Sequence, residues 1–201
     1  MNKELLKELP QMKTGEELFT EMLYLPEYND NIRAENQAIR LTALSDMYDI
    51  YIPSTMSQEI YSKLYLALLR SLQKKFTTLA TRQQNENYKI IRGQVYNSVI
   101  GGSDSFTIIG TSGIGKSTAI NKSISLLSES PFIEIEKPYA KIIPSLVIQC
   151  PFDSSVKGLL LEVLRKTDEI IGSKYYENAL RTRATTDMLI TISINDKGRL
   201  R

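Results

Sequence analysis

The chain has 201 residues, a formal net charge of +2 and a hydrophobic fraction of 42%. This length suits one domain, or one domain with a small extension, and the composition is that of a globular protein. There is no histidine, the commonest metal ligand and general base, and a single cysteine excludes an internal disulfide. No apolar run could span a bilayer and the opening residues do not form a signal peptide, so we expect a cytoplasmic protein with no membrane partner.

Helical patterns dominate the first hundred residues. The run Thr14–Glu17 predicts a capped helix start, because Leu18 and Met22 follow it at helical spacing. A second helix is predicted from Ile32 to about Leu44. A third, capped by Thr55 and Gln58, carries the strongest apolar stripe of the chain: Ile60, Leu64, Leu68 and Leu72.

A basic segment follows the third helix. Glu86 is the only acid among its basic residues, which are Arg70, Lys74, Lys75, Arg82, Lys89 and Arg92. Such a run is either a solvated helix face or a surface that contacts the phosphates of nucleic acid, and charge alone leaves both interpretations open. The run Gly101–Ser105 then predicts a flexible joint.

The run from Gly110 to Thr118 fits the phosphate-binding pattern G-x-x-x-x-G-K-[ST] at every constrained position. Glycines allow backbone turns that a Cβ would block, so that successive N–H groups converge on phosphate oxygens. The lysine supplies a positive charge for the β- and γ-phosphates, and Ser117 supplies a hydroxyl for Mg²⁺. We therefore predict that ATP and Mg²⁺ bind at Gly110, Thr111, Ser112, Gly113, Ile114, Gly115, Lys116, Ser117 and Thr118.

The elements around this loop predict an α/β fold. The apolar run Phe106–Ile109 reads as a buried strand before the loop, and a helix opens at Ser117. Further strands are predicted at Phe132–Ile135 and Leu146–Cys150, followed by a helix that ends at Gly172. This order indicates a core of parallel strands. We expect a helical region over residues 1–100 and a nucleotide-binding core over residues 101–201.

Together with the loop, three further runs resemble the TnsC/TniB family of AAA+ ATPases, which regulate target selection in DNA transposons. They are Leu25–Asn31, Gln149–Gly158 and Gly172–Tyr176. The resemblance implies an N-terminal helical segment followed by a P-loop NTPase core of the AAA+/RecA-like kind. It also implies an ATP-loaded homo-oligomer that assembles on duplex DNA and links a target-selector protein to the transposase.

Hydrolysis needs an acidic pair at the end of an apolar strand, and the sequence departs from the family pattern there. No such pair follows the loop: Asp153 lies behind Pro151, and Asp196 ends a run, Ile190–Asp196, that alternates polar and apolar residues. We therefore expect a core that is incomplete at its C-terminus, with catalytic residues unknown and weak ATP hydrolysis. The alternatives are a non-catalytic, nucleotide-gated DNA- or protein-binding module and another P-loop ATPase such as a helicase loader.

Overall fold

The computed structural model describes residues 9–74, 82, 85–86, 89, 92, 94, 105–128, 130–136 and 139–195. The chain divides into two compact units. The first, which we call the loop unit because it contains the loop Gly110–Thr118, consists of Gln11–Leu66 and Thr107–Leu126. The second, which we call the C-terminal unit, comprises Met1–Pro10, Ala67–Phe106 and Leu127–Arg201. The predicted boundary between residues 100 and 101, and most of the predicted joint Gly101–Ser105, lie outside the described residues.

Among the described residues, three α-helices come first. Helix α1 spans Gly15–Met22, a 3₁₀ helix spans Asp30–Ala34, and α2 spans Gln37–Ser45. A second 3₁₀ turn, Asp46–Asp49, follows α2 directly, and α3 spans Thr55–Lys74. The predicted second helix is thus broken: Asn36 starts α2 afresh by accepting a hydrogen bond from the backbone N–H of Ile39 at 3.0 Å.

The start of α3 differs from the prediction in its cap. The hydroxyl of Ser54 accepts from the backbone N–H of Ser57 at 3.3 Å, and the hydroxyl of Ser57 accepts from that of Ser54 at 3.2 Å. Tyr51 also donates its phenol proton to Ser57 at 2.7 Å. Two serines therefore cap α3 reciprocally, where the sequence pattern had assigned Thr55 and Gln58.

The predicted apolar stripes of α1 and α3 are buried except at Leu64, which is only half-buried. Leu18 and Met22 are buried on α1, and Ile60, Leu68 and Leu72 are buried on α3. Tyr61 is completely buried, and its hydroxyl accepts a hydrogen bond from the backbone N–H of Lys13 at 3.2 Å. A buried tyrosine whose hydroxyl finds a partner packs favourably, so Tyr61 is a core residue and not a surface for stacking bases.

The part of the chain described after residue 105 contains one hairpin and four helices. Helix α4 spans Lys116–Leu127, and strands β1, Ile133–Glu136, and β2, Tyr139–Ile142, pair antiparallel. Helices α5, α6 and α7 span Val156–Ile171, Tyr175–Arg181 and Thr186–Asn195. Leu164, Ala179, Ala184 and Leu189 form the buried cluster on which these last three helices pack.

The prediction of a parallel-sheet P-loop core, of the AAA+/RecA-like kind, is wrong. In the described part of the chain the only sheet is the β1–β2 hairpin. Residues 106–109 and 146–150 are not in strands; Ile109 is 90% exposed and Val147 is 57% exposed, whereas a central parallel strand is covered on both faces. A strand forms only beside a partner, and a hairpin closes locally whereas a parallel pair needs a long crossover.

The C-terminal run is also helical. Of the run Ile190–Asp196, which alternates polar and apolar residues, residues 190–195 lie within α7. Leu189 is buried in the cluster of the last three helices, and Ile192 packs against that cluster. Leu189 and Ile192 are three residues apart, which places both side chains on one face of a helix. This spacing is missed when the run is read as alternating polar and apolar residues.

Candidate functional site

Two glycines of the loop Gly110–Thr118 adopt a backbone conformation that other residues avoid. Gly113 has φ +83° and Gly115 has φ +86°, which lies in the left-handed region. A Cβ at either position would meet no neighbouring atom, so the requirement for glycine there is conformational. Gly110 differs: its φ is not in this region, and a Cβ would lie 3.5 Å from Ile114 Cγ2, an ordinary contact. The predicted role of glycine therefore applies at Gly113 and Gly115 but not at Gly110.

Lys116 folds back across the loop. Its Nζ donates to the backbone carbonyl of Gly110 at 2.9 Å and to that of Thr111 at 2.6 Å. An ammonium group has three donors, so these two bonds fix the side chain over the loop and leave one proton for another acceptor. The Lys116 side chain thus links the two ends of the loop, and its charged ammonium group lies against the loop.

Helix α4 begins at Lys116, one residue before the predicted start. Its first backbone bond runs from the N–H of Ala119 to the carbonyl of Gly115 at 2.9 Å. The N–H groups of Lys116, Ser117 and Thr118 precede that bond and so cannot pair within the helix. Together with the helix dipole, such N–H groups make a helix N-terminus favourable for an anion.

The loop is open to solvent. Thr111, Ser112, Ile114, Ser117 and Thr118 are exposed, and Ser117 is in the first turn of α4, where a hydroxyl can face a ligand at the helix end. The residues present therefore fit a triphosphate with Mg²⁺: two glycines in the required conformation, unpaired N–H groups, a lysine and a hydroxyl. Within the described residues no group of three or more His, Cys, Asp or Glu side chains could hold a metal ion by itself.

The helix that follows the loop contacts the N-terminal region of the same unit. Lys122 Nζ lies 4.9 Å from the centre of the Tyr24 ring. Tyr24 in turn pairs with Tyr51: the Tyr24 N–H donates to the Tyr51 carbonyl at 3.0 Å, and the Tyr51 N–H donates back at 2.9 Å. Helix α4 thus contacts Tyr24, which lies at one end of the segment that runs between these two tyrosines.

The run Gln149–Gly158, which carried much of the family resemblance, forms the start of α5. Ser155 caps the helix by accepting from the backbone N–H of Gly158 at 3.0 Å, and Asp153 accepts from the N–H of Ser155 at 3.1 Å. The hydrogen bond from the Ser155 N–H, and after it one from the Ser155 side chain, lower the pKa of the Asp153 carboxyl. A Cβ on Gly158 would lie 2.7 Å from Ser155 Oγ and 3.2 Å from Pro151 Cγ, so the turn needs glycine there.

The run Gly172–Tyr176 has an equally local explanation. Gly172 ends α5 with φ +74°, and its N–H donates to the Asp168 carbonyl at 2.8 Å. The Asp168 carboxylate accepts from the N–H groups of Tyr175 and Tyr176 at 3.0 and 2.8 Å, and from the Ser173 hydroxyl. Asp168 therefore holds the end of α5 to the start of α6.

The basic segment is only partly available to a ligand. Lys89 forms an ion pair with Glu86 at 2.8 Å, and the Glu86 side chain is buried. Arg82 and Arg92 are exposed. Lys75 and the side chain of Lys74 lie outside the described residues. The intervening acid therefore neutralises one of the predicted cations.

Comparison with known proteins leaves the family resemblance untested. No family model matches the chain, and no curated protein matches it. Among the described residues, no helix is both long enough and apolar enough to cross a membrane. The resemblance to TnsC/TniB, like the cytoplasmic location, stays a prediction from the sequence.

Proposed function

We propose that the loop Gly110–Thr118 binds the phosphates of ATP together with Mg²⁺. The observation that carries this proposal is the conformation of Gly113 and Gly115 directly before the N-terminus of α4. Both glycines hold the left-handed conformation at the points where the motif requires them, and Lys116 lies over the loop they form.

Each residue has a separate task in the proposed complex. The N–H groups of Lys116, Ser117 and Thr118 donate to phosphate oxygens, supported by the dipole of α4. Lys116 donates to a non-bridging oxygen, exchanging a loop carbonyl for the phosphate or using its third proton. Ser117 contributes its hydroxyl to Mg²⁺, which keeps most of its waters.

In this proposal ATP binding regulates the protein, and hydrolysis of the ATP is not required. Asp153, the first acid considered for hydrolysis, accepts from the Ser155 N–H as part of a helix start. The geometry therefore favours a nucleotide-gated binding module. The resemblance to TnsC/TniB suggests that its setting is target selection in DNA transposition, with duplex DNA, a target-selector protein, a transposase and further copies of the chain as partners.

The direct test is calorimetric titration of the full chain with a non-hydrolysable ATP analogue and Mg²⁺. Lys116→Ala is expected to weaken binding at least about tenfold, because a hydrogen bond to a charged group is worth about 1.5–3 kcal/mol. Lys122→Ala is the matched control: it lies in the same helix but contacts Tyr24. Equal affinities for wild type and Lys116→Ala would overturn the proposal.

A further inference from the structure

One segment of the loop unit exposes its apolar residues, and we call it the acidic segment: residues 25–50. The backbone hydrogen bonds between Tyr24 and Tyr51 join the two ends of this segment. It contains both 3₁₀ helices and α2, and none of its residues is buried. Folded backbone with no buried side chain is unusual, because helices in proteins gain most of their stability from packing an apolar face.

A stripe of large apolar side chains runs along α2 and the turn after it. Leu41, Leu44 and Tyr48 follow at i, i+3 and i+7, which places them on one face. They are 59%, 55% and 92% exposed, and Met47 beside them is 62% exposed. At 9 residues, α2 is shorter than the roughly 12–15 that an isolated helix needs in water. The stripe is therefore suited to being covered by another apolar surface.

The charges around the stripe indicate the chemistry of that surface. Acids outnumber bases in the acidic segment, and in the described residues none of its charged side chains forms an ion pair. Asp46 and Asp49 follow the last turn of α2, which has no basic residue. Carbonyl groups already give that helix end a partial negative charge, so a cation from outside is favoured there. The acids are Glu27, Asp30, Glu35, Asp46 and Asp49; the bases are Arg33 and Arg40.

We propose that the acidic segment docks a protein partner through an amphipathic helix whose apolar stripe is flanked by Lys or Arg. The partner's apolar residues cover Leu41, Leu44 and Tyr48, and its cations pair with Asp46 and Asp49. An anionic lipid surface would be repelled by the same carboxylates. A second copy meeting stripe to stripe would bring two acidic surfaces together, which disfavours that contact.

The probe is a fluorescently labelled helical peptide that has leucine at i, i+3 and i+7 on one face and lysine on both sides of that face. It is titrated with the full chain, and binding is measured by fluorescence anisotropy. Wild type is expected to bind it. Leu41→Ser with Leu44→Ser, and separately Asp46→Lys with Asp49→Lys, should each weaken binding at least about tenfold. Leu180→Ser is the matched control, since Leu180 is an exposed helical leucine of the C-terminal unit, 49% exposed.

Several results would overturn this proposal. They are no binding of the lysine-flanked peptide by the wild type, equally strong binding of a glutamate-flanked peptide, and binding by Leu41→Ser with Leu44→Ser that is as strong as that of the wild type. Binding of the chain to phosphatidylcholine–phosphatidylglycerol vesicles that is lost in Leu41→Ser with Leu44→Ser would assign the stripe to membrane. Self-association in sedimentation velocity that is lost in that variant would assign it to a second copy. None of these measurements includes ATP, so a negative result for the docking proposal is distinguishable from failure of the proposed nucleotide binding.

Discussion

The ammonium group of Lys122 on α4 lies 4.9 Å from the centre of the Tyr24 ring. A cation over an aromatic face at an exposed site contributes about 0.5–1 kcal/mol. Tyr24 also forms the backbone pair with Tyr51. The contact therefore attaches α4, the helix that follows the loop Gly110–Thr118, to the backbone pair that joins the two ends of the acidic segment.

The first prediction concerns the energy of this contact. Lys122→Met and Tyr24→Leu should each lower the free energy of unfolding, and a double-mutant cycle should give a coupling of about 0.5–1 kcal/mol. Tyr24→Phe is the control, because it keeps the ring and should retain the coupling. Urea denaturation measures all of these, and a coupling near zero would show that the two side chains only happen to be adjacent.

The second prediction separates the glycines of the loop. Gly113→Ala and Gly115→Ala should weaken binding of ATP with Mg²⁺, because alanine disfavours the left-handed conformation by about 1–2 kcal/mol, which corresponds to roughly fivefold or more. Gly110→Ala should bind nearly as wild type, since its added methyl makes only an ordinary contact with Ile114. Calorimetry on the three variants checks this ranking. An equal loss of affinity in Gly110→Ala would mean that the loop binds ATP in another conformation.

The third prediction concerns the start of α5. In most helices Gly→Ala stabilises, by about 1 kcal/mol. At Gly158 the methyl would collide with the capping hydroxyl of Ser155, so Gly158→Ala should destabilise. Ser155→Ala alone should cost about 1 kcal/mol through loss of the cap.

Combining the two substitutions distinguishes the collision from a general effect. In the Ser155→Ala background the nearest atom to the new methyl is Pro151 Cγ at 3.2 Å, so Gly158→Ala should cost less than in wild type. Thermal unfolding of the four proteins measures the difference. Strict additivity would contradict the assignment of Ser155 Oγ as the obstacle.

The fourth prediction concerns DNA. If the basic segment contacts phosphates, Arg82→Glu with Arg92→Glu should weaken binding to any duplex and reduce the slope of log affinity against log salt by about 2. Arg181→Glu with Arg183→Glu reverses two exposed arginines elsewhere and is the control. An unchanged slope in the first variant would identify the segment as a solvated surface.

The fifth prediction is that ATP turnover stays near background, with or without DNA. Phosphoryl transfer depends on positioned charges, and a finger arginine alone contributes about 10³–10⁵ in rate. Asp153→Asn should leave phosphate release unchanged, because its carboxylate holds the Ser155 N–H. Asp196 lies outside the described residues, and robust turnover that Asp196→Asn abolishes would contradict this prediction.

Local patterns in the sequence determined much of this protein. The stripe on α3, the helix after the loop and the end of α5 at Gly172 were all predictable, because each depends on neighbours within a turn or two of the helix. The positive φ at Gly113 and Gly115 is likewise a property of a short motif.

Only the tertiary structure decided the rest. Phe106–Ile109 and Leu146–Cys150 have apolar composition suited to strands, but a strand exists only when another lies beside it, and this depends on the whole chain. Leu189–Ile194 is helical because α7 packs on α5 and α6 through Leu189. Composition could not show that Leu41, Leu44 and Tyr48 stay exposed, because burial depends on whether any distant part of the chain covers them.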